Sequence, residues 1–368
     1  MKVVRLIARI ITGLVFIFSG TVKAIDPMGS AYKFQDYFSA FNISFLKHMG
    51  LALAIVLCTA EFICGFSVLT GIRQRQGITG VMILMIIFTP LTFILALTNP
   101  VSDCGCFGDA IHLTNWQTFF KNVVLIIFAA ILFTGRKKAE PLIKPSGEWL
   151  VIGGATALFI GFALYNLRYL PLVDFLPYKK GTDILASMTI PENAPADKYS
   201  TTFIYEKDGI KKEFDLSNYP ANDSTWKFVE QRSVLLEKGY KPPIHDFSIT
   251  APDGTDMTQN ILLHKGFSLL MISKKLPEAR KLSILDGFAL GKFCEQKGID
   301  FYVLTASGTE EVNKYSAGLK IYSVDETALK TMIRSNPGYI LLENGIIKEK
   351  WSQANLPEKE WFEKLAKE

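Results

Sequence analysis

Five stretches of the chain are predominantly apolar, at roughly 4–25, 46–70, 77–98, 115–134 and 149–170. Each can cross a hydrocarbon core about 30 Å thick, which takes about 20 apolar residues in a helix. Punctuation bounds them: Asp26-Pro27, Gly71, Asn99-Pro100, Gly135 and Pro171. The first is read as a retained helix, because no small-x-small cleavage site follows it and more spans come after it. Beyond residue 170 the pattern changes to short segments. Alternating runs at 201–206 and 210–216 flank Lys207-Asp208-Gly209 and predict a hairpin. Residues 224–238 have helical spacing, with Trp226, Val229 and Leu236 as candidate buried positions. A strand is expected at 247–250, followed by an Asp253-Gly254 turn. The continuous apolar run 266–273 has the signature of a buried central strand. A helix over 277–297, a strand at 300–304 and short helices at 309–316 and 326–335 around a strand at 321–324 come next. Two antiparallel strands, 338–343 and 346–351, are joined by Asn344-Gly345, and a helix over 357–367 closes the chain.

The expected fold is therefore a membrane α-helical bundle followed by an α/β extracytoplasmic domain. Its parts are a four-helix membrane domain over 1–140, a fifth transmembrane helix over 146–170, an α+β connecting segment over 171–240 and an α/β domain over 241–368. Composition agrees. Of 368 residues 49% are hydrophobic and only 20% charged, and the mean hydropathy is +0.22. The net charge of +5 hides a split: residues 1–170 hold 14 Lys/Arg against 7 Asp/Glu, and the remainder 26 against 28. These figures exclude a disordered chain, a disulfide-dense miniprotein and a basic nucleic-acid binder.

The basic residues set an orientation. Lys2, Arg5 and Arg9 flank the first span, Arg73 and Arg75 lie between the second and third, and Arg136, Lys137, Lys138 and Lys144 between the fourth and fifth. All fall on one side if the first helix runs from inside to outside. The 99–114 loop has no Lys or Arg and carries Asp103 and Asp109, so it is expected outside. The 26–45 loop and everything after 170 follow it. The expectation is a bacterial inner-membrane protein with a cytoplasmic N-terminus and a periplasmic C-terminal domain.

Two features of the membrane half can carry chemistry. In Asp103-Cys104-Gly105-Cys106-Phe107-Gly108-Asp109, two cysteines one residue apart can close a small, strained and therefore labile disulfide. The alternatives are a structural disulfide or turn, and a metal site with His112 and Asp109. The last lacks a second Cys/His pair at zinc spacing, so no metal is expected. The adjacent carboxylates are expected to raise the thiol pKa values. The second feature is Cys58, Glu61 and Cys64 in the second helix, at i, i+3, i+6. Glu61 and Cys58 are expected near the bilayer centre, where an ionisable side chain is costly and marks function. Glu61 is either protonated and hydrogen-bonded between helices, or it relays protons or touches a quinone, the one candidate cofactor. For Cys58 and Cys64 the plain reading is small buried hydrophobes, and Cys58 meets a loop cysteine only if the 99–114 loop dips into the bundle. Gly13 and Gly20 in the first helix allow close helix approach.

ARIITGLVFIFSGTVKAIDP, the acidic second helix and DCGCFGD before the fourth helix resemble the DoxX-like and MauE-type membrane proteins, over about residues 1–140. The resemblance implies a four-helix inner-membrane bundle associated with redox maturation of envelope proteins. The vitamin K epoxide reductase bundle is a more distant relative in architecture, and its membrane C-x-x-C is absent here. In the outer half, SNPGYILLENGIIKEKW resembles the cis-proline hairpin of thioredoxin-like proteins, with Pro337 at the cis-proline position. FSLLMISKKLPEARK resembles the active-site strand of TlpA-type thioredoxins, where C-P-P-C-R-K is expected. Leu276 and Ala279 stand at the two cysteine positions. Neither supplies a thiol, so the resemblance implies a redox-inactive domain, and Cys294 is expected to be a buried hydrophobe. The whole resembles a DoxX-like protein of Bacteroidetes type with a thioredoxin-like tail.

Two functions compete. In the first, Cys104 and Cys106 exchange with a periplasmic protein substrate and pass electrons into the membrane, with Glu61 and Cys58 as further candidates; this would be thiol–disulfide oxidoreductase chemistry. In the second, the bundle is a non-enzymatic anchor whose thioredoxin-like domain binds a periplasmic partner. A small-molecule carrier is disfavoured, since five spans show no inverted repeat.

Overall fold

The structure, a computed structural model, describes residues 2–101, 103–136, 144–221, 223–245, 247–315 and 319–367, with Pro145 described by its backbone. Lys137 and Lys138 of the orientation argument lie outside these residues. Among the described residues, five helices are long and apolar enough to cross a membrane. They are α1 (Lys2–Ile25), α3 (Gly50–Thr70, entered through a 3-10 turn at Ser44–Met49), α4 (Gln74–Thr98), α5 (Asn115–Gly135) and α6 (Pro145–Tyr169). All coincide with the apolar stretches. Between the first two lies α2 (Pro27–Ala40), where the sequence predicts a loop. Its start follows a recognisable rule: Asp26 is the N-cap, accepting from Gly29 N–H at 2.8 Å, and Pro27 occupies the first turn.

α1 packs along α3, and α4 along α5. The α1–α3 crossing is close because glycines line it. A Cβ on Gly20 would sit 2.6 Å from the Cys58 carbonyl oxygen, and one on Gly65 2.7 Å from the Ile17 nitrogen. Without a hydrophobic drive between helices in lipid, such backbone proximity and the polar bonds it permits hold a bundle together. Buried Ala8, Phe16, Val68, Val81, Met85, Leu125 and Ala129 fill the centre.

Residues 183–247 form a separate compact unit. It contains α7 (Ile184–Met188), β1 (Lys198–Lys207), β2 (Ile210–Asp215) and β3 (Lys227–Glu237), in sheet order β2-β1-β3 with both pairings antiparallel. The 201–216 hairpin is present. The helix expected over 224–238 is instead β3: Val229 and Leu236 are 38% and 66% exposed rather than buried. Its Phe228, Val229 and Val234 favour a pleated strand, and β1 offers an edge to pair with. Cross-strand pairing overrode the helical period.

Residues 171–182 run with the remaining α/β part rather than opening the connecting segment; Lys350 Nζ holds Asp174 at 2.5 Å, and Ile347 N–H donates to the Thr182 carbonyl at 2.9 Å. That part has α8 (Thr258–Leu262), β4 (Phe267–Ser273), α9 (Lys281–Gln296), β5 (Asp300–Thr305), α10 (Thr309–Tyr315), β6 (Ile321–Ser323), α11 (Glu326–Met332), β7 (Gly338–Glu343), β8 (Ile346–Ser352) and α12 (Lys359–Leu365). The sheet order is β6-β5-β4-β7-β8, with β4, β5 and β6 parallel and β7 and β8 antiparallel to their neighbours. β4 is central and buried, as its apolar run requires. The 247–250 strand is absent; only Thr250 bridges, to Asp256 and Ser323. The Asn336-Pro337 peptide is cis.

Gly20→Val tests the helix crossing. The added side chain forces α1 away from the Cys58 carbonyl, and overpacking of this kind costs about 1–3 kcal/mol. Thermal unfolding in mild detergent is expected to show a lower midpoint than the wild type, whereas Gly153→Val, where nothing lies within 4 Å, leaves it unchanged.

Candidate functional site

One buried ion pair organises the site. Lys23, one turn beyond Ser19 on α1, turns inward rather than toward the end of the bundle. Its Nζ donates to Glu61 Oε1 and Oε2 on α3 at 2.9 and 2.7 Å, and to Ser19 Oγ at 2.8 Å. Lys23 and Glu61 are only 6% and 3% exposed. Two charges out of water cost several kcal/mol each unless paired and fully hydrogen-bonded; here each is the other's partner. Glu61 is thus hydrogen-bonded between helices, with Lys23 of α1 as its partner. Glu61 also lies level with the last two turns of α1, not with the middle of that helix, because α3 extends past the end of α1.

Ser19 links this pair to the cysteine loop. Its Oγ lies 2.8 Å from both Glu61 Oε2 and the Cys106 carbonyl oxygen, and its single proton serves one of them at a time. The 99–114 loop therefore does fold onto the bundle. Further anchors hold it: Tyr37 of α2 donates its hydroxyl to the Cys104 carbonyl at 2.6 Å, and Lys33 pairs with Asp103 at 2.8 Å. Gly105 sits at φ +62°, a conformation that favours glycine, and lets the chain double back so that the Cys106 amide donates to Cys104 Sγ at 3.3 Å. α5 contributes Thr118, whose Oγ1 is 3.5 Å from Cys104 Sγ, and Lys121, whose ammonium lies 4.4 Å from the Phe107 ring centre. Both cysteines are half-buried and free.

The two thiols are unequal. Hydrogen bonding from the Cys106 side chain, then from Thr118 and the Cys106 amide, with the Lys121 charge, holds Cys104 below the usual thiol range against the opposing effect of burial. Cys106 is pushed up by its bond to Cys104 and by burial. The surroundings thus favour the thiolate at Cys104 and the thiol at Cys106. This reverses the expectation that the flanking carboxylates raise both pKa values. Asp103 is neutralised by Lys33, and Asp109 by Arg334 at 2.6 Å, leaving the thiols facing donors.

Beneath the pair is a cavity of about 120 Å³. Its walls are mostly apolar, including Val15, Phe16, Leu57, Met85, Phe88 and Leu125, while Cys104, Cys106, Lys23, Glu61, Lys121 and Asn122 supply the polar part. Asn122 is tied to Thr92 across α5 and α4 at 3.1 Å.

Cys58 is not brought to the pair. Its thiol donates to the Ile55 carbonyl at 3.2 Å and packs with Ala24, Phe159 and Ala163, outside the cavity wall. Cys64 lies against the apolar centre of the bundle, and Cys294 is buried in the α/β core. The metal alternative does not assemble: Arg334 takes Asp109, while His112 is 4.0 Å from Asp103. Among the described residues no group of three His, Cys, Asp or Glu converges to hold an ion.

Leu276 and Ala279 are packed into the α/β core, and the Leu276 amide donates to Ser307 Oγ at 2.9 Å. Beside them, Asn336 accepts from Ser273 at 3.0 Å and donates to the Lys275 carbonyl at 3.2 Å, stitching the end of β4 to the Pro337 loop. Two cations from this same edge reach the bundle. Lys274 Nζ donates to the Tyr32 hydroxyl at 2.7 Å, and Arg334 Nε bonds Asp26 at 2.7 Å. Burial, then the charges of Arg334 and Lys330, lowers Lys274 to about 7. Ser19, Tyr37, Thr118, Lys121, Lys274 and Arg334 escaped the sequence reading. Only Lys23 carried a signal, an ammonium two residues inside a transmembrane helix end and four residues after a serine.

Because the thiolate is the reacting form, Cys104 is expected to alkylate at a pH where an ordinary thiol of pKa about 8.5 stays protonated. Mass-resolved alkylation of the full chain across pH 5–10 should give a midpoint below that value for Cys104. Cys106→Ala removes the leading stabiliser and moves the midpoint up by about one unit or more; Thr118→Val moves it less. Equal midpoints for the two cysteines in the wild type would contradict the asymmetry.

Residues 1–135 match the family model described as Methylamine utilisation protein MauE. Residues 199–238, most of the three-stranded sheet, match a domain of unknown function, DUF8463. No curated protein and no solved structure matches the chain. The first match runs from α1 to the end of α5 and contains the ion pair, the cysteine loop and the cavity, so that with its apolar helices this part of the chain fits a MauE-type membrane protein.

Proposed function

We propose that the protein is an inner-membrane accessory to thiol–disulfide exchange and envelope protein maturation, working through Cys104 and Cys106. The observation that carries this reading is the placing of the pair: two free cysteines one residue apart, with the Cys106 amide and Thr118 Oγ1 against Cys104 Sγ, over a mostly apolar cavity that the buried Lys23–Glu61 pair and Lys121 help to line. Stabilising the thiolate stabilises the reduced pair, which makes the corresponding disulfide a stronger oxidant. The direction that follows is oxidation of a partner. A partner thiolate attacks Cys104 Sγ of the loop disulfide, forming a mixed disulfide, and Cys106, the more deeply set sulfur, leaves and takes a proton. A second partner thiolate attacks the partner sulfur of that mixed disulfide, and Cys104 departs as the stabilised thiolate. The partner gains a disulfide, and the loop pair holds two electrons.

Restoring the loop disulfide requires an acceptor for two electrons and the Cys106 proton, with a second proton drawn from outside the pair. A lipid-soluble quinone supplies that chemistry when bound. The fit is to its ring: an engineered apolar cavity of about 150 Å³ takes benzene, and this one, at about 120 Å³, holds at most one small ring. Within it, Lys23 and Ser19 are the donors facing the apolar space, and Glu61 is placed to exchange a proton through Ser19. Orientation follows from the basic residues: the loop, α2 and the α/β domain on the periplasmic side, the N-terminus in the cytoplasm. The α/β domain is read as thioredoxin-like and redox-inactive, since Leu276 and Ala279 occupy the dithiol positions. The family's role in methylamine utilisation suggests an accessory function and does not identify the substrate.

The second reading, a non-enzymatic scaffold, draws on those same two side chains: a domain without a dithiol can still hold a partner beside Pro337.

Thiol trapping separates the two. In acid-quenched cells Cys104 and Cys106 of the wild type are expected to be partly oxidised, and to become reduced when the quinone pool is reduced. Cys106→Ala should accumulate a mixed disulfide through Cys104, and Cys104→Ala none. If the pair never changes state and no mixed disulfide forms, the redox reading fails. A partner recovered in mild detergent from wild type and both cysteine variants, and lost on deletion of 241–368, would then favour the scaffold.

A further inference from the structure

Among the bonds that pin the loop carrying the cysteines, four charged or hydroxyl side chains from α1, α2 and the α/β domain matter here, and the fourth comes from an unexpected place. Lys33, Tyr37 and Ser19, all from the bundle, hold Asp103, the Cys104 carbonyl and the Cys106 carbonyl. The remaining anchor is Arg334, 225 residues beyond the Asp109 it binds. Its guanidinium makes two charge-assisted bonds in different directions. Nη2 meets Asp109 Oδ2 at 2.6 Å, and Nε meets Asp26 Oδ2 at 2.7 Å. The side chain is 8% exposed. Asp26 is itself fixed, as the N-cap of α2. One cation therefore fastens the end of the cysteine loop to the start of the helix that supplies Lys33 and Tyr37.

We infer that Arg334 is a positioning residue for the Cys104/Cys106 pair, through which the α/β domain clamps the cysteine loop onto the bundle. The inference rests on the reading of that pair as the reactive centre. It gives the domain a role that needs no thiol of its own. Arg334 precedes Asn336-Pro337 by two residues, and Asn336 ties this loop to the segment bearing Leu276 and Ala279. The edge of the domain where a dithiol would stand is thus the edge that grips the bundle's own cysteines. An arginine suits the task because its planar fork serves two carboxylates at once, whereas a lysine ammonium is a point charge on a flexible stem. Removing it leaves Asp26 and Asp109 as facing carboxylates with no shared cation, which drives the two segments apart.

The test is accessibility of the thiols in the full chain, reduced and in mild detergent, with a bulky maleimide as probe. Arg334→Ala is expected to raise the labelling rate of Cys104 and Cys106 about tenfold, while Cys58 and Cys294 stay as protected as in wild type. Arg334→Lys should restore part of the protection. Asp109→Asn should resemble Arg334→Ala, and the double variant should add little to either, because both remove one interaction. Unchanged labelling of the loop thiols in Arg334→Ala overturns the inference. So does a parallel rise at Cys58 and Cys294, which would mean general unfolding. Labelling is measured without turnover, so its outcome is independent of whether the pair cycles in cells.

Discussion

Charges removed from water must find each other, and in this protein that constraint determines where everything else goes. Lys23 and Glu61 lie on different helices, and neither is tolerable alone in an apolar bundle. Their pairing fixes the register of α1 against α3 at the point where Gly20 allows the backbones to touch. Ser19, held by the same pair, presents the hydroxyl on which the Cys106 carbonyl rests. The cysteine loop is thus seated on a charge pair, and the chemistry of the thiols inherits its geometry.

The same logic recurs one layer out. Asp103 and Asp109 bracket the cysteines and by themselves would oppose a thiolate. Each is instead matched with a cation from another element, Lys33 from α2 and Arg334 from the α/β domain. What remains facing Cys104 is a thiol, a hydroxyl, an amide and the Lys121 charge. A pair of cysteines one residue apart becomes an unequal pair through the hydrogen bonds that reach Cys104, while the flanking carboxylates are matched with cations from outside the loop. The α/β domain, with Leu276 and Ala279 committed to its own core, contributes to the site by charge and position.

Much of the architecture could be read from the chain because it follows from local rules. The five spans follow from length and hydropathy, β4 from an unbroken apolar run, the β7–β8 hairpin from Asn344-Gly345, and the close α1–α3 approach from glycines. Where a reading failed, a non-local partner was responsible. Residues 227–237 have a helical period, yet β1 offered an edge and the segment paired with it. α2 went unread although Asp26-Pro27 announces a helix start, because an intervening polar stretch between spans is read by default as a loop.

The sequence by itself determined which stretches are long and apolar enough to enter a membrane, where the chain turns, and that Cys104, Cys106, Glu61 and Cys58 are candidates for chemistry there. Only the tertiary structure brought the first three around one cavity and left Cys58 out of its lining. It also supplied the members no motif could name: Ser19, Thr118, Lys121 and Arg334. The reason is physical. Hydropathy and turn propensity act over a few residues and are written locally, whereas compensating a buried charge or seating a thiolate draws on side chains that meet only after the chain has folded, here across as many as 308 positions.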